Sequence, residues 1–373
     1  MTRVHEGDAP ASGRPVRVLI VDDSPTMRAL LREALANEAD IEVVAEACEP
    51  QEARAKIKAI DPDVVTLDVE MPGMNGIAFL DKIMRLRPTP VIMVSSFTEP
   101  GAAAALDALA LGAFDCIGKP RGRADDLEGF ADLLRAAART KPDLAARRAY
   151  QRPGTSAAAV RNAAGTRRRP LAIGIGSSTG GVEALAKILP EFPADCPPTL
   201  IVQHLPASFS ASFAERLDKA CAPAVRIPVT GETLRPGVIY IAPGSHHMVV
   251  RGGARPFVSL VDTLPNALFR PSADYLFASL AKTFGNEACG VLLTGMGRDG
   301  AKGLLQMRKR GAHTIAQDRA TALVYGMPRA ASEIGAAAAD LPLDEIPAAI
   351  FKIPKSTKTV TARAVALCEE TTT

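Results

Sequence analysis

The sequence predicts two α/β domains joined by a linker. The chain has 373 residues, more than one domain usually holds, and 47% of them are apolar, which is enough for two cores. Apolar stretches alternate with helical patterns in both halves, which indicates parallel sheets covered on both faces. We therefore expect a (βα)5 domain over 16–140, a flexible basic linker over 141–169, and a doubly wound, mostly parallel α/β domain over 170–353 with a small antiparallel portion.

Composition excludes several classes of protein. No run reaches the ~18 apolar residues of a membrane span, and residues 1–15 lack the apolar core of a secretory signal. The six cysteines form no CxxC, which favours reduced thiols in the cytoplasm. The linker carries eight Lys or Arg and one Asp, but Tyr150 is its only aromatic residue. We expect a disordered lead-in over 1–15, a tail over 354–373, no membrane insertion and no nucleic-acid partner.

The first half contains five strand–helix pairs. Ser24 is a suitable N-cap for the first helix, with Pro25 at its first position. Ligands of such sheets bind beyond the carboxyl ends of the strands. The predicted strands are Val16–Val21, Ile41–Ala47, Val64–Asp68, Val91–Ser95 and Ala113–Ile117, and the predicted helices are Pro25–Asn37, Gln51–Ile60, Gly76–Arg87, Ala102–Leu111 and Asp125–Arg139.

Polar side chains follow four of these strands and predict an acidic pocket. Asp22 and Asp23 end the first strand and Asp68 ends the third; Ser95 ends the fourth, and Lys119 follows the fifth. Three neighbouring carboxylates repel one another, and their oxygens suit Mg²⁺. A carboxylate such as Asp68 can accept a phosphoryl group, whose oxygens the metal, Lys119 and Ser95 would neutralise. A lone Asp here would be read as a helix cap, but the matched strand ends favour the pocket.

The motifs DD, LDxxMPxxxG, SS and KP resemble the receiver domain of two-component response regulators over about residues 15 to 140. The resemblance implies Asp68 as phosphoacceptor and a histidine kinase as phosphodonor. It also implies Mg²⁺ as cofactor, with ligands from Asp22, Asp23, Asp68 and the backbone carbonyl of Glu70. One departure is Cys116, which stands where receivers usually carry the aromatic residue of their switch.

The second half resumes the alternation after the linker. Between Val225 and Val261, short apolar strands and turns predict an antiparallel insertion or edge. The other predicted strands are Leu171–Ile175, Leu200–Gln203 and Val291–Thr294, and the predicted helices are Val182–Leu189, Phe209–Lys219, Ser272–Phe284 and Ala301–Arg310.

A strand, a sharp turn and a helix meet at LAIGIGSSTGG, which contains Gly176-x-Ser178-x-Gly180. This is the spacing of a nucleophile elbow, in which small neighbours leave a serine hydroxyl exposed at a strand end. Backbone amides near Thr179 and Met296 are candidate donors to an oxyanion. The turn therefore predicts a serine hydrolase.

The serine needs a base, and the base needs an acid that orients it. Of five histidines, His204 is the best candidate because it ends the strand LIVQH. Asp299, in the glycine-rich loop VLLTGMGRDG, is the candidate acid. The alternatives are an interior histidine and two helix caps. Dinucleotide binding is disfavoured, because the run Gly174-x-Gly176-x-x reaches Thr179 instead of glycine.

The runs GSSTGGVEAL, IVQHLPASFSASFAERL, IAPGSHHM, RPSAD, GVLLTGMGRDG and YGMPRAA resemble the catalytic domain of chemotaxis protein-glutamate methylesterases. With the receiver, the resemblance covers nearly all of 15–353. It implies Ser178 as nucleophile, His204 as base, Asp299 as third member, and hydrolysis of glutamyl methyl esters on chemoreceptors with deamidation of receptor glutamines. The stretch Gly244–Met248 departs from the usual pattern. The alternative is a non-catalytic response regulator that acts by partner binding.

Overall fold

The computed structural model describes residues 14–71, 75–95, 98–120, 127, 129–141, 169–265 and 267–351. The predicted tail, nearly all of the predicted linker, and residues 1–13 of the lead-in lie outside these ranges. Within them, no helix is both long and apolar enough to cross a membrane.

The first domain is a five-stranded parallel sheet with strand order β2-β1-β3-β4-β5. Apolar clusters on both faces of the sheet form its core. Its strands are β1 Val16–Val21, β2 Ile41–Ala47, β3 Val64–Asp68, β4 Val91–Ser95 and β5 Asp115–Gly118, and its helices are α1 Pro25–Ala34, α2 Pro50–Ile60, α3 Gly76–Leu86, α4 Glu99–Ala110 and α5 Phe130–Thr140.

Two predicted boundaries differ from the structure around α4. The helix begins three residues earlier than predicted, because the Thr98 hydroxyl accepts a hydrogen bond from the amide of Gly101 (3.2 Å) and caps it. Strand β5 begins two residues later than predicted. Ala113 is still turning out of the helix there, since its amide donates to the Ala108 carbonyl (3.0 Å) and Gly112 has φ +101°.

The second domain has a seven-stranded parallel sheet, order β14-β13-β12-β6-β7-β9-β8, and a separate antiparallel pair, β10 with β11. The two-domain α/β prediction is thus confirmed. Within the predicted antiparallel insertion, β10 and β11 form an antiparallel pair, and an isolated antiparallel bridge joins Thr233 to Phe257. The strands are β6 Ala172–Ser177, β7 Thr199–Gln203, β8 Ala224–Arg226, β9 Val238–Ile241, β10 His247–Arg251, β11 Phe257–Val261, β12 Ala288–Leu292, β13 His313–Gln317 and β14 Ala339–Leu341.

Six helices surround these sheets. Helix α8 packs directly on β6, whose glycines make room for it: a Cβ on Gly174 would lie 2.4 Å from Leu280, and one on Gly176 would lie 2.8 Å from Ala273. The alternation of glycine with apolar residues in β6 therefore serves close helix–sheet packing. The helices are α6 Gly181–Ile188, α7 Ser210–Ala220, α8 Ala273–Phe284, α9 Ala301–Lys309, α10 Met327–Glu333 and α11 Ile346–Phe351.

Helix α9 approaches α8 through Gly303, where a Cβ would lie 2.4 Å from the backbone carbonyl oxygen of Asp274. We expect Gly303→Ala to destabilise the second domain by about 1–3 kcal/mol through overpacking, despite the better helix propensity of alanine. Calorimetric unfolding of the full chain measures this as a lower transition midpoint. Gly253→Ala is the matched control because a Cβ there meets no atom within 4 Å; equal midpoints for the two variants would contradict the packing argument.

Candidate active site and acidic pocket

Ser178 lies at the carboxyl end of β6, immediately before the turn that opens α6. Gly180 caps that helix with φ +77°, a conformation that favours glycine. Ser177 is paired with Gln203 on β7, and the amide of His204 donates to the Ser177 carbonyl (3.1 Å). Ser178 and His204 therefore leave neighbouring strands at the same level of the sheet.

The side chain of Gln203 ties these two strand ends together. Its Oε1 accepts from the Ser177 hydroxyl (2.6 Å), and its Nε2 donates to the carbonyls of Ser178 (2.9 Å) and His204 (3.2 Å). This role was not anticipated from the sequence, although a glutamine that ends the apolar run LIV was a usable signal. Gln203 holds the backbone on both sides of the site.

The ring of His204 is held by Asp299. Nε2 of His204 lies 2.9 Å from Oδ2 of Asp299, and the two side chains are 13% and 6% exposed. The carboxylate also accepts from the Ser272 hydroxyl (2.7 Å) and from the amides of Ala273 (2.7 Å) and Asp274 (3.2 Å). Burial by itself would raise the pKa of Asp299, but the hydrogen bonds from His204, Ser272 and Ala273 hold it below its usual value.

Asp299 therefore sits at the N-terminus of α8, where backbone amides favour a negative charge. The sequence alternative was an N-cap for the next helix, α9, but that cap is Gly300. Ser272 was assigned only to the start of a helix. No local pattern connects it with Asp299, 27 residues away.

The loop after β12 lies against Ser178. The amide of Ser178 donates to the Thr294 carbonyl (3.0 Å), and the Thr294 hydroxyl donates to the Thr179 carbonyl (3.0 Å). A Cβ on Gly295 would be 2.8 Å from Cβ of Ser178. The backbone that leads into Met296 thus passes directly beside the serine.

The remaining described histidines are all in the second domain, on or next to β10 and β13. His246, before β10, contacts Asp262 (2.9 Å). His247 is buried against Tyr275, and burial lowers its pKa. His313 begins β13, where burial also lowers its pKa.

The first domain covers the serine. Ser178 lines a crevice together with Gln203 of its own domain and Leu109, Ala113 and Asp115 of the first domain. The hydroxyl of Thr179 donates to Oδ2 of Asp115 (2.6 Å) across this crevice, and burial raises the pKa of Asp115.

Two further contacts hold the domains together around the crevice. Helix α4 contacts α6, α7 and the short 3-10 turn Ala207–Phe209. At the rim of this contact, Arg216 of α7 pairs with Asp107 of α4 (2.7 Å).

The acidic pocket forms at the predicted edge of the first sheet. Oxygens from Asp22, Asp23 and Asp68 lie within 4.8 Å of one another. Nζ of Lys119 lies 2.8 Å from Oδ2 of Asp68 and 3.6 Å from Oδ2 of Asp22. Burial and the neighbouring Asp68 raise the pKa of Asp22 to about 6, and burial raises the pKa of Asp68. Burial would lower the pKa of Lys119, but the acidic neighbours raise it overall.

The other predicted pocket residues have contacts of their own. The Ser95 hydroxyl donates to the carbonyl of Gly101 in α4 (3.0 Å), and the amide of Glu70 donates to Oδ1 of Asp68 (3.2 Å). Cys116 is buried in β5, and burial raises the pKa of its thiol. The hydroxyl of Ser95 thus connects the end of β4 to the first turn of α4.

Comparison with known proteins agrees with the fold of both domains. The family profile described as CheB methylesterase matches residues 173–350, and the profile described as response regulator receiver domain matches residues 18–129. A relative from Rhizobium etli is 50% identical over 346 residues, which cover 92% of this chain and 98% of that protein. Relatives from Agrobacterium fabrum (52% over 345 residues; 92% and 97%) and Caulobacter vibrioides (53% over 327 residues; 86% and 93%) are similar.

All three relatives carry the name protein-glutamate methylesterase/protein-glutamine glutaminase, which the Caulobacter protein bears with the number 1. The sequence prediction of an enzyme is confirmed, and the alternative of a non-catalytic regulator is not supported. The chain belongs to the protein-glutamate methylesterase/protein-glutamine glutaminase family, with a receiver domain ahead of its catalytic domain.

Proposed function

We propose that this protein is a cytoplasmic, phosphorylation-activated hydrolase that removes methyl esters from glutamyl side chains of chemoreceptors and deamidates receptor glutamines, giving adaptation in chemotaxis signalling. The observation that carries the chemistry is the 2.9 Å contact between His204 and Asp299 at the strand end beside Ser178. The names of the relatives provide the substrate class. The family resemblance and the positions of Ser178 and His204 at neighbouring strand ends support the residue roles.

In the first half of the reaction, the Ser178 hydroxyl attacks the ester carbonyl. Nε2 of His204 faces Asp299, so Nδ1 is the nitrogen that accepts the serine proton. The ionised Asp299 keeps the ring in that tautomer and stabilises the imidazolium. The amides of Thr179 and Met296, on the two loops that meet at Ser178, are the proposed donors to the oxyanion.

The second half regenerates the serine. His204 returns the proton to the departing methoxy group, which leaves as methanol, and an acyl ester remains on Ser178. Water attacks this ester while His204 again accepts a proton and then returns it to the Ser178 oxygen. The products are methanol and a free glutamate; with a glutamine substrate, ammonia leaves instead and the product is also glutamate. The esterase step uses no cofactor.

Asp68 is the proposed phosphoacceptor, and a histidine kinase is the proposed donor. The residues fit a magnesium ion: among the described residues, Oδ2 of Asp22 is buried without a hydrogen-bond partner. Asp22, Asp23, Asp68 and the backbone carbonyl of Glu70 would hold Mg²⁺, a hard cation that prefers oxygen ligands. When bound, the ion offsets negative charge on the phosphoryl oxygens. The Lys119 ammonium and the Ser95 hydroxyl are the side chains that would bind the same oxygens.

Phosphorylation controls access to Ser178 in this proposal. The first domain lies over the crevice that Ser178 lines, with Asp115 bound to Thr179. The Ser95 hydroxyl contacts Gly101 of α4, and α4 packs on the second domain. If Ser95 turns toward a phosphoryl group on Asp68, it leaves α4, which shifts the population toward an undocked form.

Ser178→Ala should lower methanol release from methylated receptor by at least about four orders of magnitude, because no other nucleophile replaces the hydroxyl. The assay follows methanol by gas chromatography and glutamate formation by mass spectrometry of receptor peptides. Ser208→Ala is a suitable control, since that buried hydroxyl has no hydrogen-bond partner among the described residues. Retention of ester hydrolysis by Ser178→Ala would refute the assigned nucleophile.

Asp68→Asn should abolish activation by a small phosphodonor and leave basal turnover intact, because the amide cannot be phosphorylated. Asp132→Asn serves as control, since Asp132 is an exposed carboxylate on α5 that forms a surface ion pair with Arg135 of the same helix. Activity is measured with and without donor and Mg²⁺, alongside intact-protein mass. Donor-dependent activation of Asp68→Asn would exclude this residue as the acceptor.

Asp107→Arg should raise basal esterase activity about two- to fivefold, because it replaces an interdomain ion pair with repulsion from Arg216. Adding Arg216→Asp restores opposite charges and should return the rate to the unphosphorylated wild-type value. Fully phosphorylated protein should respond to neither change. An unchanged basal rate in Asp107→Arg, or failure of the charge swap to restore it, would count against masking by the first domain.

A further inference from the structure

One aromatic side chain beside the site belongs to neither the elbow nor the residues that bind Asp299. The ring of Phe269 lies parallel to the ring of His204, with centroids 4.9 Å apart and planes 16° apart. Phe269 is 44% exposed, whereas the side chain of His204 is 13% exposed. Phe269 thus leaves part of its apolar surface exposed to solvent while its ring covers one face of the His204 ring.

The hydrogen bond between His204 and Asp299 does not by itself fix the plane of the imidazole ring. A hydrogen bond at Nε2 restrains that nitrogen, but the ring can still turn about its Cβ–Cγ bond, because Nε2 lies closer to that axis than Nδ1 does. Rotation would swing Nδ1, the nitrogen proposed to take the serine proton, away from Ser178. A flat stack against a second ring fixes the plane and removes this rotation.

We propose that Phe269 is a positioning residue for His204: it holds the imidazole plane so that Nδ1 faces Ser178. This inference rests on the proposed role of His204 as base. The same stack favours the reaction electronically, because His204 is positively charged between its two proton transfers and an aromatic face attracts a cation.

The loop that carries Phe269 is closed at its base and anchored to its neighbours. The Arg270 guanidinium donates to the carbonyl of Asp262 (3.1 Å), which joins the two ends of residues 262–270. The carboxylate of Asp262 contacts His246, just before β10 (2.9 Å), and the Tyr275 hydroxyl of α8 donates to the Pro265 carbonyl. These contacts tie the chain on both sides of Phe269 to neighbouring parts of the second domain.

Leu268, the preceding residue, is an exposed apolar side chain without the flat face of Phe269. It is 92% exposed, and it occupies the same loop as Phe269. Leu268 is therefore a matched control: its removal changes the apolar surface of the loop but leaves the ring that faces His204.

The test compares Phe269→Leu, Phe269→Tyr and Leu268→Ala in the full-length protein, with methylated receptor as substrate and initial rates of methanol release. Phe269→Leu keeps an apolar side chain but loses the flat face, so kcat should fall about three- to tenfold with KM within twofold of the wild type. Phe269→Tyr restores the flat face and should recover kcat to within twofold. Leu268→Ala should keep kcat within twofold.

Three results would overturn the inference. The first is an unchanged kcat in Phe269→Leu. The second is a rise in the KM of Phe269→Leu with no change in kcat, which would make Phe269 part of the substrate-binding surface. The third is an equal loss of kcat in Leu268→Ala, which would implicate the loop instead of the ring. The proposed function is judged separately by Ser178→Ala. If that variant is inactive while Phe269→Leu keeps full kcat, the hydrolase assignment stands and the positioning role fails; if Ser178→Ala stays active, the nucleophile assignment fails whatever Phe269 does.

Discussion

The rest of the second domain's site depends on one buried carboxylate at a helix terminus. Asp299 stays ionised because the amides of Ala273 and Asp274 and the Ser272 hydroxyl bind it. It can then orient His204. This arrangement requires α8 to lie close to β6, and the glycines of β6 permit that approach. The close packing of α8 on β6 is thus a condition for the ionised state of Asp299, because that packing brings the amides of α8 to the carboxylate.

The two sites of the protein are connected by a short stretch of structure. Asp115 at the start of β5 contacts Thr179 beside the serine, and Lys119, just after the same strand, contacts Asp68. Ser95 at the end of β4 contacts α4, which packs on the second domain. The acidic pocket around Asp68 is therefore joined to the interdomain surface by contacts through neighbouring strands and one helix.

Much of the fold was predictable from local pattern. In the first domain, four of five strands have the predicted ends. The central strands β3 and β4 are fully buried, and such strands read as nearly continuous apolar runs. Among the boundaries that differ from the prediction, those at α4 and β5 depend on a side-chain cap by Thr98 and on the turn at Gly112. Those features are set by backbone geometry, which apolar periodicity does not encode.

The sequence alone determined the α/β class, the two strand-end clusters and the residues Ser178, His204, Asp299 and Asp68 as candidates, since polar residues after apolar strands collect at one edge of a parallel sheet. Only the tertiary structure decided that Asp299 meets α8 and not α9, that Gln203 ties Ser178 to His204, and that Asp115 closes on Thr179. The reason is physical. The contacts of Gln203 with Ser178, of Asp299 with Ala273 and of Asp115 with Thr179 join residues 25, 26 and 64 positions apart, the last of them across the two domains. Which residues meet is decided by how helices and sheets pack, which no local spacing records.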